Sequence, residues 1–325
     1  MVISIGIIGY RNHAQHLITL VGADSRCKLE YIFHPNKKIN DYRGTNNFSD
    51  LFSCNAIIIA SPNNTHTYYI EKLKKFKGYI FCEKPPAVSI KELNQIKKIG
   101  KNRRARIFFN FNYRFSELSN LMKKIKNSDQ IGKILNIDIK STHGLAYQKK
   151  YSNSWRADGR NNKHNILETL SIHYIDLILL HFGRSKKIFY FPKVISKNGT
   201  SFDTSFLVMN FHKGPTISLF NSYATCYSNE IIIFGSKGII EIKNNKKIIL
   251  RPRNTFDKKG RFKRPPIFKQ EKLSLERDYI VSLEKSIKFF LNLVKEKRKV
   301  HLLQYKNSLL TNESILKIKK LKNSD

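Results

Sequence analysis

The chain of 325 residues has only four cysteines, Cys27, Cys54, Cys82 and Cys226, and no two of them form a C-x-x-C pair. Such scatter excludes a disulfide framework or a Cys-rich zinc module and fits free thiols in a reducing compartment. No apolar run approaches the ~20 residues that a membrane-spanning helix needs. The opening stretch, MVISIGIIGYRNH, carries no basic segment ahead of its apolar one, so it reads as a first strand rather than a secretory signal, and the expected location is cytoplasmic. Acidic residues are scarce: 24 Asp and Glu stand against 60 Lys and Arg, a net charge of +36. The positive charge is mostly lysine and is spread along the chain, with its densest cluster at Lys258, Lys259, Arg261, Lys263 and Arg264. Without a basic arm, this reads as a solvated surface and not as a nucleic-acid footprint. What the chain does have is 41% hydrophobic and 12% aromatic residues, enough to build packed cores.

The first ~110 residues alternate short apolar runs with helical spacing. The runs are 3–8, 28–33, 56–60, 79–82 and 106–109. Helical stretches at 12–21 and 65–76 separate them. A third begins at Ser89, where Glu92 completes a capping box ahead of Leu93 and Ile96. Continuously apolar strands separated by helices specify a parallel sheet covered on both faces, hence a doubly wound domain. After Asn110 the pattern changes. A helix at 116–125, a strand at 134–139 and a long helix at 166–182 precede successive strand-like segments from 188 to 250, which predict a largely antiparallel open sheet. The stretch 251–272 reads as an exposed basic loop, and helices at 276–297 and 305–321 close the chain. The fold class is α/β: a doubly wound domain over 1–110, then an α/β domain over 111–325 whose C-terminal helix packs back on the first.

The turn after the first strand is where a dinucleotide pyrophosphate docks in a Rossmann domain, because helix-start N–H groups and the helix dipole attract anionic oxygens. The G-x-G-x-x-G pattern is here Gly9-Tyr10-Arg11-Asn12-His13-Ala14. Gly9, Tyr10, Arg11 and Asn12 are the candidate contacts. Two readings of Arg11 stand: a guanidinium turned onto phosphate, or a phosphate turn impaired by a side chain where backbone should approach. The second strand ends in His34 instead of the acid that binds ribose hydroxyls. With Lys37 and Lys38 beside it, this favours NADP over NAD.

The segment from Ile57 to Pro86 holds Ser61-Pro62-Asn63, His66 and Glu83-Lys84-Pro85; downstream stand Asn112-Tyr113-Arg114-Phe115 and His173-Tyr174-Ile175-Asp176. In order and spacing these residues closely resemble the Gfo/Idh/MocA family of oxidoreductases. The resemblance implies a Rossmann domain followed by an α/β domain whose open sheet joins subunits into a dimer or tetramer. It implies an NAD(P)-dependent dehydrogenase that moves hydride between nicotinamide and a sugar, cyclitol or sugar-nucleotide carbon. Cofactor contacts then fall on Ser61, Pro62, Asn63, His66, Glu83 and Lys84. Lys84 stands beside nicotinamide and the reacting hydroxyl, where an alkoxide developing as hydride leaves needs a cation or donor. His173 is the second proton group, with Asp176 one turn on. No metal is implied.

The chain departs from the family pattern on the helix that carries His173. The family's aspartate four residues earlier is Thr169. Glu168 is adjacent, but one residue rotates it by about 100°, so it reaches the site only if the helix is locally displaced. A different substrate, a water-assisted relay and a lost activity all remain open, the last leaving a protein that binds cofactor or sugar nucleotide as a regulator or scaffold. Trp155-Arg156 resembles a family segment near cofactor and substrate. Arg114 and Arg156 either hold a substrate anion bidentately or form structural ion pairs.

Overall fold

The computed structural model describes residues 2–11, 13–126, 128–251 and 255–321. They form two compact units, one of Met1–Asn112 with Ser282–Leu316, the other of Tyr113–Val281 with Lys317–Asp325.

In the first unit six strands make one parallel sheet: β1 (Ile3–Ile8), β2 (Cys27–Phe33), β3 (Gly44–Thr45), β4 (Ala56–Ile59), β5 (Tyr79–Glu83) and β6 (Ile107–Asn110). Their order is β3-β2-β1-β4-β5-β6, so the sequence direction reverses between β1 and β4. The apolar runs are continuous because helices cover both faces: Ile3, Ile5, Ile7 and Ile57, Ile58, Ile59 are all wholly buried. The helix Ile90–Lys97 starts as its capping box requires, with Glu92 N donating to Ser89 Oγ at 3.2 Å. β3 is too short to leave a periodic signal and was not expected. Residues 282–316, assigned on sequence to the second domain apart from a returning helix, belong to this unit. The helix Asp278–Lys295 sends Phe290 against Phe81 and Phe108, with ring centroids 5.3 and 6.0 Å apart.

The second unit is built on eight strands: β7 (Ile134–Thr142), β8 (Lys187–Lys193), β9 (Thr204–Asn210), β10 (Thr216–Ser222), β11 (Ser228–Gly235), β12 (Gly238–Lys243), β13 (Lys246–Leu250) and β14 (Ile267–Lys272). The order is β14-β13-β12-β11-β7-β10-β9-β8, antiparallel throughout except where β7 meets β10. Side chains alternate between a buried face and an open one, as a sheet covered on one side requires. β14 corrects the loop expected over 251–272: its charged, exposed residues carry no alternation, yet their backbone pairs with β13, and Lys247 meets Glu271. Such charge is what edge strands use against unwanted pairing. The long helix expected at 166–182 is also interrupted. Leu167–Ser171 forms a π turn before the α-helix Ile172–Phe182 begins.

Among the described residues no helix is long and apolar enough to cross a membrane.

Gly9 ends β1 at φ +119°, and a Cβ there would stand 2.7 Å from the Ala60 carbonyl oxygen. Gly9→Ala is expected to cost ~1–3 kcal/mol in backbone strain, lowering the melting temperature by roughly 2–4 °C per kcal/mol. An unchanged melting curve would show that the turn can widen.

Candidate active site

The carboxyl ends of β1, β2, β4 and β5 carry most of the residues singled out in the sequence. Gly9 N donates to Phe33 O at 3.1 Å, which joins the ends of β1 and β2. The helix His13–Gly22 follows, and no acid stands in its first turn to compete with an anion. Tyr10 is half-buried and Arg11 exposed; Asn12 lies outside the described residues. His34 uses Nδ1 to accept from the backbone N–H of Asn36 (3.2 Å) and Lys37 (3.0 Å), which puts its proton on Nε2. Burial, with the charges of Lys37 and Arg11, holds His34 below its ordinary pKa. The end of β2 therefore gathers cations where a ribose-binding acid would stand.

Two turns make the next layer. Ser61 Oγ, at the end of β4, accepts from Thr65 Oγ1 at 2.7 Å; Asn63 is half-buried and Pro62 exposed. His66 was expected to touch the cofactor. Instead it is wholly buried, with Nδ1 2.8 Å from Pro85 O and Nε2 2.9 Å from Ser61 O. Each ring nitrogen lies at hydrogen-bond distance from a backbone carbonyl, and a neutral imidazole donates to one of them at a time, so His66 packs between the S-P-N turn and the E-K-P turn. Burial pushes its pKa down against the pull of the two carbonyls. Thr67 Oγ1 donates to Pro86 O, and the Asn312 amide clamps Ala87 through N–H and C=O at 2.7 and 2.9 Å.

Glu83 was also expected to touch cofactor, and it too is buried and committed. Its Oε1 meets His13 Nε2 at 2.8 Å and accepts from Asn110 Nδ2 at 2.7 Å, while Oε2 accepts from Lys84 N at 3.3 Å. Ser286 Oγ donates to Asn110 Oδ1 at 2.6 Å and extends the network into the C-terminal helix. Burial raises the Glu83 pKa, but His13, Asn110 and Lys84 outweigh it and leave the carboxyl below its ordinary value. The half-buried Lys84 thus leaves the strand between a fixed carboxylate and a bracketed proline. His13 and Asn110 were missed in the sequence because neither apolar periodicity nor a short motif marks them.

In the second unit His173 is buried, its ring stacked on Tyr113 (4.7 Å between centroids, 30°) and edge-on to Tyr279 (5.9 Å, 82°). Arg114, for which a substrate anion and a structural ion pair both stood open, forms a bidentate pair with Asp176, Nε to Oδ2 at 2.8 Å and Nη2 to Oδ1 at 2.6 Å, with side chains 8% and 1% exposed. Their fork geometry satisfies both charges within the protein. The π turn is a local displacement of the helix at Glu168. Ile172 N bonds Leu167 O across five residues, so residues five apart take the alignment that four-apart residues have in an α-helix. Glu168 stands five before His173. It is buried, with Oε1 2.5 Å from Lys319 Nζ. Thr169 Oγ1 donates to Asn165 O at 2.7 Å and meets Tyr223 OH at 2.5 Å. Trp155 is 46% exposed, and Arg156 lies over its ring at 4.9 Å.

Residues 3–111 match the family described as an oxidoreductase family with an NAD-binding Rossmann fold, and residues 119–241 match the GFO/IDH/MocA C-terminal domain. The chain belongs to the Gfo/Idh/MocA family. Glucose-6-phosphate 3-dehydrogenase of Bacillus subtilis is 28% identical over 184 residues, 54% of this chain and 52% of that protein. Myo-inositol 2-dehydrogenase of Thermotoga maritima is 27% identical over 197 residues, 58% and 56% of the two. The similarity thus spans a little over half the length of these relatives. Among solved structures, an Agrobacterium radiobacter oxidoreductase in complex with NAD+, L-tartaric acid and magnesium superimposes with a TM-score of 0.76 at 16% identity, covering 96% of this chain and 95% of that one. A Corynebacterium glutamicum myo-inositol dehydrogenase gives 0.72 at 18%, covering 97% and 95%. At such identities the likeness concerns the fold.

Two expectations follow. Because the Glu83 carboxyl lies below its ordinary value of 4.5, its contribution to stability is full above that pH and is lost as pH falls through the folded value. Glu83→Gln is expected to lower the melting temperature at neutral pH and to flatten the acid limb of the profile. An acid limb as steep as that of the unchanged protein would remove Glu83 from this role. Arg114→Gln removes the guanidinium that pairs with the buried Asp176, and is expected to cost ~3–5 kcal/mol in denaturant unfolding. A variant of full stability and raised KM would instead make Arg114 a substrate ligand.

Proposed function

We propose that the protein is an NAD(P)-dependent dehydrogenase or reductase that moves hydride between nicotinamide and a carbinol carbon of a sugar, cyclitol or sugar nucleotide. The observation that carries this reading is Lys84. It emerges at the carboxyl end of β5 in a parallel sheet, where ligands of such sheets bind, held by Glu83 on one side and by the His66-bracketed Pro85 on the other. The phosphate turn fits a dinucleotide: Gly9 presents bare backbone where a Cβ would collide, and the helix after it starts without an acid. Bound there, a nicotinamide would accept or supply the hydride.

The chain's own residues have the remaining work. The Lys84 ammonium offsets the charge that develops on the substrate oxygen as its proton leaves. Glu83, His13 and Asn110 hold the backbone from which Lys84 projects. His173, its ring plane fixed by Tyr113 and Tyr279, donates or accepts the substrate's proton. The π turn supports a share for Glu168 beside it, with Lys319 holding the carboxylate in place. Ser61 and Asn63 face the cofactor from the end of β4. The cations Arg11 and Lys37 around His34 support NADP over NAD. Exposed Phe189, Phe191 and Phe206, on the open face of β8 and β9, support a homo-oligomer. The free cysteines suit a reducing cytoplasm.

One observation favours a second reading, a family member that binds cofactor without efficient turnover. Thr169 stands where the family's aspartate is expected, and its hydroxyl is committed to Asn165 and Tyr223.

Fluorescence titration with NADH and NADPH is expected to give saturable binding, tighter for NADPH. Lys84→Met is expected to retain that binding while turnover on a sugar panel falls by at least 10³-fold, on the order of the full contribution of an oxyanion-type group. Turnover that survives the substitution would take Lys84 out of the mechanism, and binding without hydride exchange on any sugar would select the second reading.

A further inference from the structure

We propose that Lys123, Lys124 and Arg251 line a binding site in the second unit for a phosphate-bearing ligand, with Ser128 and Gln130 as its neutral donors. The inference goes beyond the oxidoreductase reading and does not depend on it.

The first two cations come from one helix. Glu117–Lys126 turns Leu118, Leu121, Met122 and Ile125 into the core, and Lys123 and Lys124 fall on its exposed side. Lys126, on the same turn, is spent within the protein: its Nζ donates to His181 O and lies 5.4 Å from the centre of the Phe182 ring. Lys123 and Lys124 hold no acid at salt-bridge distance among the described residues. With Ser128, Gln130 and Arg251 they line a hollow of about 710 Å³ that opens to solvent. Small-molecule pockets span roughly 300–1,000 Å³. No acid lines this one. Asp129, between Ser128 and Gln130 in the chain, turns its carboxylate onto Lys237.

Arg251 reaches the hollow from a different element, one residue beyond β13. Its guanidinium carbon stands 4.2 Å from the centre of the Phe268 ring on the neighbouring strand β14. Its Nε is buried and has no hydrogen-bond partner. A buried donor left unpaired costs ~1–3 kcal/mol and calls for an acceptor. An aromatic face orients a guanidinium and leaves the edge of its fork for an anion.

Three like charges around one acid-free concavity repel one another, and its low-dielectric walls concentrate their field. A carboxylate brings one charge to answer three. A phosphate monoester brings about −1.5 to −2 at neutral pH and three acceptor oxygens, which the Ser128 hydroxyl and the Gln130 amide can also serve. Such a group arrives on a soluble molecule or on a lipid head group. Phe268 and Ile267 beside it are 59% and 51% exposed, so both sources enter the test.

The intact protein is titrated calorimetrically with inorganic pyrophosphate, and by co-sedimentation with phosphatidylcholine vesicles with and without phosphatidic acid. Both arms are run with and without NADPH, in about 0.15 M salt, where charges are screened beyond ~8 Å. Saturable binding of pyrophosphate or of the phosphatidic-acid vesicles is expected to persist with NADPH present. Pyrophosphate binding marks a soluble ligand, and vesicle binding without it marks a lipid head group. Arg251→Gln is expected to weaken that binding at least tenfold. The double variant Lys123→Gln, Lys124→Gln, whose side chains are exposed, is expected to do the same with an unchanged melting temperature. Because a net charge of +36 attracts any anion, the double variant Lys74→Gln, Lys75→Gln in the first unit is the control and must bind as before. The site is overturned if neither probe binds, if NADPH abolishes all binding, or if both hollow variants bind like the control.

Discussion

A carboxylate taken out of water must find its compensation inside the protein, and in the first unit Glu83 does so in a way that builds the site. Desolvation alone would hold its proton on, since a lone buried charge is costly. His13, Asn110 and the Lys84 backbone reverse that balance and keep it ionised. Each partner comes from a different element: His13 from the start of the helix after β1, Asn110 from the end of β6, Lys84 from the end of β5 itself. One buried charge therefore ties two strand ends, those of β5 and β6, to the start of the helix that follows the phosphate turn. Ser286 carries the tie into a helix that is distant in sequence. His66 does the same with neutral groups, pinning two turns through their carbonyls. Lys84 thus leaves β5 from a backbone bonded on one side to Glu83 and followed by a proline whose carbonyl meets His66.

In the second unit the corresponding constraint is one of register. An α-helix repeats every 3.6 residues, so a single extra residue ahead of His173 would rotate everything before it out of line. The π turn absorbs that residue locally and spares the packing of the helix Ile172–Phe182, buried from Ile172 through Leu179. Arg114 locks the same helix from outside by its fork on Asp176. The helix that presents His173 is thus fixed by a buried ion pair on one turn and shifted by one residue on the turn before.

How much of this the sequence shows depends on how local each signal is. The parallel strands were legible because two-sided burial makes them uniformly apolar, and the helix at Ile90 because its cap is a contact across three residues. The strand ends with Ser61 and Lys84 followed from the order of those strands. β14 was not legible, since its pairing uses backbone and its side chains carry no alternation. The sequence leaves the roles of His66, Glu83, Arg114 and Asp176 open for a related reason. Their spacing marks them as belonging near the site, yet only burial and partner geometry separate a residue that touches a ligand from one that braces its neighbours. The π turn was foreseen only as a condition on Glu168, because no propensity distinguishes it from an α-helix.

The scarcity of acids also bears on the chemistry. Among the described residues the buried acids are Glu83, Glu168, Asp176, Asp203 and Asp278. Each is committed: to His13 and Asn110, to Lys319, to Arg114, to the loop at Ile195 and Ser196, and to the backbone of Glu117 and Leu118. The cations are not matched in the same way. Lysine and arginine exceed acids by more than two to one, so after the buried acids are paired the surplus is positive, and among the described residues Arg11 and Lys37 near the end of β2 form no ion pair. Fixed positive potential of this kind favours ligands that bring their own negative charge. A dinucleotide does so with its phosphates. The phosphate turn and the end of β2, with no acid in the first turn of the helix that follows and Lys37 and Arg11 near His34, are such a place in this fold.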